Sequence, residues 1–236
     1  MRVSSKPENF TKAILALEDG SYFIGRGFGA VRKVSGEIVF STSMVGYPET
    51  LTDPSYKGQF LTLTYPLVGN YGVPPYKAEE GIQQSFESDG IKADGLIIHE
   101  LCKEPSHWAS TRTLAEWLEE EGIAGIYGID TRNLTKKLRV KGVMLGVLQT
   151  YESGEEPSIE SLLKQAKTVS DPNLRDLVKE VTVKEPVSYG SKGNNTVVPN
   201  HQQHWDANRA HQLVIFRGWR RKYVKRTYSG LQPRLG

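Results

Sequence analysis

Strands dominate the first ninety residues and alternate with amphipathic helices after that, a pattern that predicts a mixed α/β domain. Two observations carry the expectation. β-branched and aromatic runs are separated by turns rich in Gly and Pro, and from about residue 94 the rhythm is strand, helix, strand, helix, strand. A third sets its bounds: 236 residues, 38% of them apolar, suffice for one or two domains with a real core.

Lys12 to Leu17, the turn Glu18-Asp19-Gly20-Ser21 and then Tyr22-Phe23-Ile24 read as a hairpin with Asp-Gly at its bend. Gly36 to Phe40 and Phe60 to Thr64 are two more strands. Between them Thr42 to Gly58 is dense in Gly, Pro, Ser, Thr and Asp, which predicts an ordered loop rather than an element; Gly69 to Pro75 is a second such loop. Gly95 to Ile98 is a short buried-strand pattern. Thr113-x-x-Glu116 is a capping box opening a helix that carries Leu114, Trp117 and Leu118 on one face and stops at Gly122. Ile123 to Ile129 is the next strand. Asp130 caps a helix with Leu134 and Leu138 at i, i+4, ended by Gly142. Val143 to Leu148 makes the last strand of the set, and this alternation predicts a parallel sheet with helical crossovers. Ile159, Leu162, Leu163 and Ala166 mark a further helix after Pro157.

The net charge of +3 conceals a division. Residues 191–236 hold nine Lys or Arg against one acid, a net +8, while residues 1–190 carry 21 bases and 26 acids, a net −5. The longest apolar runs, such as Leu96-Ile97-Ile98, are far below the roughly 18 residues of a membrane span. The N-terminus has no apolar h-region, so a cytoplasmic protein with no membrane partner is expected. In that compartment the sequons at Asn9, Asn133 and Asn194 are chance matches. A single cysteine, Cys102, excludes an internal disulfide framework and any cysteine-cluster metal site.

Several patterns formally suggest chemistry. Gly25-Arg-Gly27-Phe-Gly29-Ala30 satisfies a dinucleotide fingerprint, but no helical stripe follows it, and the glycines alternate at period two as in a glycine-rich strand. Cys102 has His99 and His107 nearby in sequence, yet Leu101 to Pro105 offers no tight glycine-flanked turn, so a small packing residue is the plainer reading. His201-x-x-His204 with Asp206 is a weak metal pattern in a biased segment. Trp219, Tyr223 and Tyr228 interleave with the cations of the tail, the composition of a nucleic-acid-binding segment. Gly46 to Tyr56 concentrates turn residues and small hydroxyls between two strands, which is how binding loops are built and equally how a rigid Asp-Pro turn is built.

Phe40-Ser-Thr-Ser-Met-Val-Gly-Tyr-Pro-Glu-Thr-Leu-Thr-Asp-Pro-Ser-Tyr-Lys-Gly-Gln59, then Leu61 to Pro66 and Gly69-Asn-Tyr-Gly72, resembles the small subunit of carbamoyl-phosphate synthetase. Leu17-Glu-Asp-Gly20 and Gly128-Ile-Asp-Thr-Arg-Asn-Leu-Thr-Lys-Lys-Leu-Arg139 agree, in the right order. The resemblance covers residues 12–190. It implies a three-layer β/β/α swivelling domain over that range, which docks on a large synthetase subunit. Residues 1–11 would be a flexible N-terminus. In the family a class I amidotransferase domain follows, hydrolyses glutamine with a Cys-His-Glu triad and passes ammonia to the large subunit. That subunit makes carbamoyl phosphate from bicarbonate and ammonia, using ATP and a divalent metal, for arginine and pyrimidine synthesis. Ser55 matches the serine that contributes to glutamine binding.

The sequence departs from the family in having no Gly-x-Cys-x-Gly elbow and no later His-x-Glu pair. No catalytic residue is therefore expected, no metal site and no cofactor bound by this chain, and glutamine would bind only if an amidotransferase domain were supplied. Residues 191–236, aperiodic and Arg-rich, are expected to be a disordered aberrant tail, the product of a frameshift near residue 197. A genuine basic tail that binds nucleic acid is the alternative, and a cysteine enzyme built on Cys102 a third class.

Overall fold

The computed structural model describes residues 11–76, 78–79, 82–83, 85–182, 187–189, 196–197 and 213–214. Seven strands form its centre: β1 (Lys12–Leu17), β2 (Tyr22–Gly29), β3 (Lys33–Ser41), β4 (Gln59–Leu63), β5 (Gly95–Ile97), β6 (Ala124–Tyr127) and β7 (Met144–Tyr151). They close into a barrel in the order β1-β7-β3-β4-β5-β6-β2. β3, β4, β5 and β6 run parallel to one another. β1, β2 and β7 pair antiparallel with their neighbours. The hairpin of β1 and β2 forms as expected, its turn tied by the Ser21 N–H donating to Asp19 Oδ1 at 2.9 Å.

Alternate side chains of each strand face opposite ways, and here both ways are buried. Ala13, Leu15 and Leu17 of β1 join Ile38, Phe60, Ile97 and Leu148 in one core. Ile14 and Ala16 belong to another, covered by Leu162 and Ala166 of α4 (Ile159–Ala166). The near-continuous apolar run of β1 follows from that double burial. α2 (Leu114–Glu120) lays Leu114, Trp117 and Leu118 against Leu61, Leu96 and Phe28. Its predicted capping box is present in both directions between Thr113 and Glu116.

The mixed α/β class stands, and two finer expectations need correction. The strand after α3 (Thr131–Lys141) does not extend a parallel sheet, because β7 lies antiparallel between β1 and β3. The places beside β6 are already taken by β5 and β2. α3 therefore inserts Leu134 and Leu138 into the same core as Leu15 and Phe60. The second concerns Thr42 to Gly58, which is not all loop. Pro48 opens a short helix, α1 (Tyr47–Leu51), and Asp53 caps a 3-10 turn over Pro54–Tyr56. The expected three-layer arrangement has as its counterpart a sheet that closes on itself.

Residues 1–10 lie outside the described residues, as does most of 191–236. Within the tail, 196–197 and 213–214 pair with 187–189 as three short antiparallel strands. The His201, His204 and Asp206 pattern and the aromatic cations from Trp219 onward fall outside the described residues. Among the described residues no helix is long and apolar enough to cross a membrane, and no cluster of three or more metal-ligating side chains occurs.

Candidate functional site

The binding-loop candidate is rigid because two neighbouring segments hold it. Tyr71, from the second glycine-rich loop, accepts at its hydroxyl from the N–H of Gly46 at 2.7 Å and of Tyr47 at 3.1 Å. Tyr47 in turn donates its hydroxyl to Gly72 O at 2.5 Å, and the two rings stack at 4.3 Å between centroids. Burial pushes the phenols of both tyrosines upward, so they remain neutral hydrogen-bonding groups across the physiological range. On the other side, Thr52 Oγ1 accepts from the Glu87 N–H at 2.9 Å, and Ser88 Oγ donates to Thr52 O at 2.6 Å. The Lys92 N–H completes the backing by donating to Leu51 O at 2.8 Å.

Ser55 projects from this framework. It is exposed, and its N–H donates to the buried carboxylate of Asp53 at 2.9 Å. That capping bond sets the turn in which Pro54 fixes the backbone ahead of the serine. Lys57 and Asp94 pair at 2.7 Å, joining the loop to the start of β5. Gly58 lies against Pro172 and Leu177, so α5 (Leu177–Val181) packs beside the Ser55 turn. This turn, at the N-terminal ends of β4 and β5, presents a hydroxyl and open surface.

Cys102 lies elsewhere, half-buried, with its thiol donating to Glu104 O at 3.4 Å. It lines a cavity of about 270 Å³ together with Phe28, Lys103, Thr113 and Tyr127. The two histidines near it in sequence are engaged otherwise. His99 Nδ1 donates to Ile129 O at 2.9 Å, and His107 Nδ1 accepts from the Ala109 N–H at 3.2 Å. Neither histidine is hydrogen-bonded to the thiol, whose partner is Glu104 O. The glycine-rich stretch 25–29 is the strand β2, as the period-two reading anticipated, and β3 follows it rather than a helix. Tyr71 is the organising residue that sequence reasoning missed; its only signal was the position between Asn70 and Gly72 in the second loop.

Against known proteins, the family model described as carbamoyl-phosphate synthase small chain, CPSase domain, matches residues 15–148. The carbamoyl phosphate synthase small chain of Archaeoglobus fulgidus is 47% identical over 187 residues, 79% of this chain and 49% of that protein. The multifunctional protein CAD of Squalus acanthias is 52% identical over 183 residues, 77% of this chain and 8% of that protein. The multifunctional protein ura1 of Schizosaccharomyces pombe is 39% identical over 257 residues, 97% of this chain and 11% of that protein. The chain thus spans about half the length of the small-chain relative and about a tenth of the multifunctional ones.

Proposed function

The chain belongs to the carbamoyl-phosphate synthase small-chain family, and on that premise we propose that it is the part of a small subunit that docks on a large synthetase subunit. The observation that carries this reading is the extent of the family match, which runs from Leu15 within β1 to Leu148 within β7 and so takes in part or all of every barrel strand. The parallel strands β3 to β6 and the antiparallel group β2-β1-β7 face each other across the Phe60 core. α2 and α4 pack on the other sides of these strands, which supports reading the closed sheet as a β/β/α swivelling domain.

Ser55 is read as one edge of a glutamine site whose remaining walls come from the half of the small chain that this sequence does not match. With Cys102 as its single cysteine and no elbow around it, the chain by itself does not hydrolyse glutamine. ATP and a divalent metal belong, on this reading, to the large subunit. The product serves arginine and pyrimidine synthesis, and the compartment is the cytoplasm.

The test is copurification of the full chain with a large synthetase subunit, alongside a glutaminase assay of the chain alone. Capture with no glutaminase activity is expected. Failure of capture overturns the docking role, and glutaminase activity lost in Cys102→Ala overturns the assignment of that chemistry to another domain. Sequencing across codons 190–240 checks the frameshift, since a shifted frame would resume a Gly-x-Cys-x-Gly elbow.

A further inference from the structure

We propose that the cavity between β2, the end of β6 and the start of α2 is a binding site for a small molecule with one or two rings and an anionic end, an aromatic carboxylate in chemical class. It is separate from the Ser55 turn and goes beyond the docking role. The Ser55 turn sits at the N-terminal ends of β4 and β5, whereas this cavity sits at the opposite ends of the parallel strands. Tyr127 is the last residue of β6, and Leu101, Cys102 and Lys103 follow β5. In sheets of parallel strands, open or closed, ligand sites favour the carboxyl ends.

Size and lining set the ligand class. A cavity of about 270 Å³ lies between the roughly 150 Å³ that holds benzene and the roughly 300–1,000 Å³ that holds drug-sized ligands. Phe28, Leu101, Ala115 and Tyr127 give it apolar walls. The rings of Phe28 and Tyr127 meet edge to face, 5.8 Å apart, and a flat ring can pack against such a pair. Lys103 lines the same cavity and is exposed, so its ammonium stands at the mouth. A ligand with its ring inside and its anionic group at that cation satisfies both ends of the site.

Backbone hydrogen bonds hold each wall in place. The Gly27 N–H donates to Thr11 O and the Cys102 N–H to Val68 O, both at 2.8 Å. Phe28 pairs in register with Gly125 of β6, so its ring cannot swing onto that strand without a clash relieved only by the glycine. Reciprocal cap bonds between Thr113 and Glu116 fix the start of α2. A hollow preformed in this way spends little free energy on rearrangement when a ligand enters.

The test uses Cys102, the single cysteine of the chain, as its reporter. Cys102 lines the cavity, so an occupant slows its alkylation by iodoacetamide. The probes, added to the full chain, are naphthalene-2-carboxylate and the neutral naphthalene-2-methanol, and each variant is compared with its own rate without probe. The carboxylate should slow alkylation saturably, and the alcohol should need about fivefold more for the same effect. Lys103→Gln should remove that preference and leave the alcohol unchanged. Ala115→Phe should fill the cavity and abolish slowing by both probes; if it fails to fold, Lys103→Gln at its exposed position still decides. Alkylation of the wild type unaffected by either probe overturns the site. Equal slowing by the two probes overturns the anionic class, and a preference that survives Lys103→Gln overturns it too. Alkylation accelerated by deleting residues 1–9 would assign the cavity to this chain's own N-terminal segment and overturn the proposal.

Discussion

Tyr47 and Tyr71 each hydrogen-bond to the backbone of the other's loop while their rings stack at 4.3 Å. Two glycine-rich segments that are 24 residues apart in the chain therefore behave as one rigid body. The pair holds the start of α1, from which the chain runs on to the Ser55 turn.

Tyr71→Phe keeps the ring stack and removes the acceptor of two partly buried N–H groups. Leaving such donors unpaired costs about 1–3 kcal/mol. Urea unfolding should show that loss, and Tyr47→Phe should cost about 1 kcal/mol by freeing Gly72 O. Because both changes act on one clamp, the double variant should deviate from additivity by about 0.5 kcal/mol or more. Strict additivity would mean that the two loops are held independently.

Gly125 of β6 faces the ring of Phe28, and a Cβ there would stand within 2.8 Å of three ring carbons. Gly125→Ala must push Phe28 away from the α2 core, an overpacking that costs about 1–3 kcal/mol. At about 2–4 °C per kcal/mol for a domain of this size, the melting temperature should fall by several degrees. An unchanged melting temperature would show that Phe28 yields freely.

The same close packing explains what the sequence disclosed and what it hid. The glycines of 25–29 looked like a nucleotide fingerprint, and the absence of a following helical stripe already argued for a strand. The structure adds the cause: a Cβ at Gly25 would meet Tyr127 O at 2.5 Å and Ile129 at 2.8 Å, so β2 needs glycine to lie against β6. The caps at Thr113 and Asp130 are local chemistry and were readable. The placement of β7 was not, because closure of a barrel is decided by which strand edges remain unpaired, and no local pattern records that. The α1 turn was hidden for a related reason. Five residues beginning at Tyr47 with a proline next are too few to show a helical stripe, and Tyr71 supplies from afar the acceptor that a side-chain cap would have provided.

Thr62 carries the one buried side-chain polar atom without a hydrogen-bond partner among the described residues. It is fully buried on β4, in register with Phe40 and Ile97. Thr62→Val replaces a desolvated hydroxyl with a methyl group of similar size, so it should stabilise the barrel by about 1 kcal/mol in urea unfolding. Destabilisation would reveal a water or a partner that satisfies the hydroxyl.

Asp19 ties the first hairpin to α3 and should make the fold acid-sensitive. Burial opposes its ionisation, but donation from the Ser21 hydroxyl and N–H and from the ammonium groups of Lys137 and Lys141 outweighs that, and the carboxyl is held well below the usual carboxylate range. A group with a lowered folded pKa stabilises the native state fully above its unfolded value, about 3.9, and loses that contribution as pH falls toward the folded value. Wild type should therefore exceed Asp19→Asn by about 1 kcal/mol at pH 7, a figure kept small by the half-exposed Lys141. The gap should begin to shrink as pH falls below about 4 and keep shrinking toward the lowered folded value. Salt at 1 M should remove the part due to the two lysines and leave the part due to Ser21, since screening acts on separated charges more than on a short hydrogen bond. A gap that stays constant from pH 7 to pH 2 would mean that the asparagine differs from aspartate in packing alone, and that the hairpin and α3 are not held together by charge.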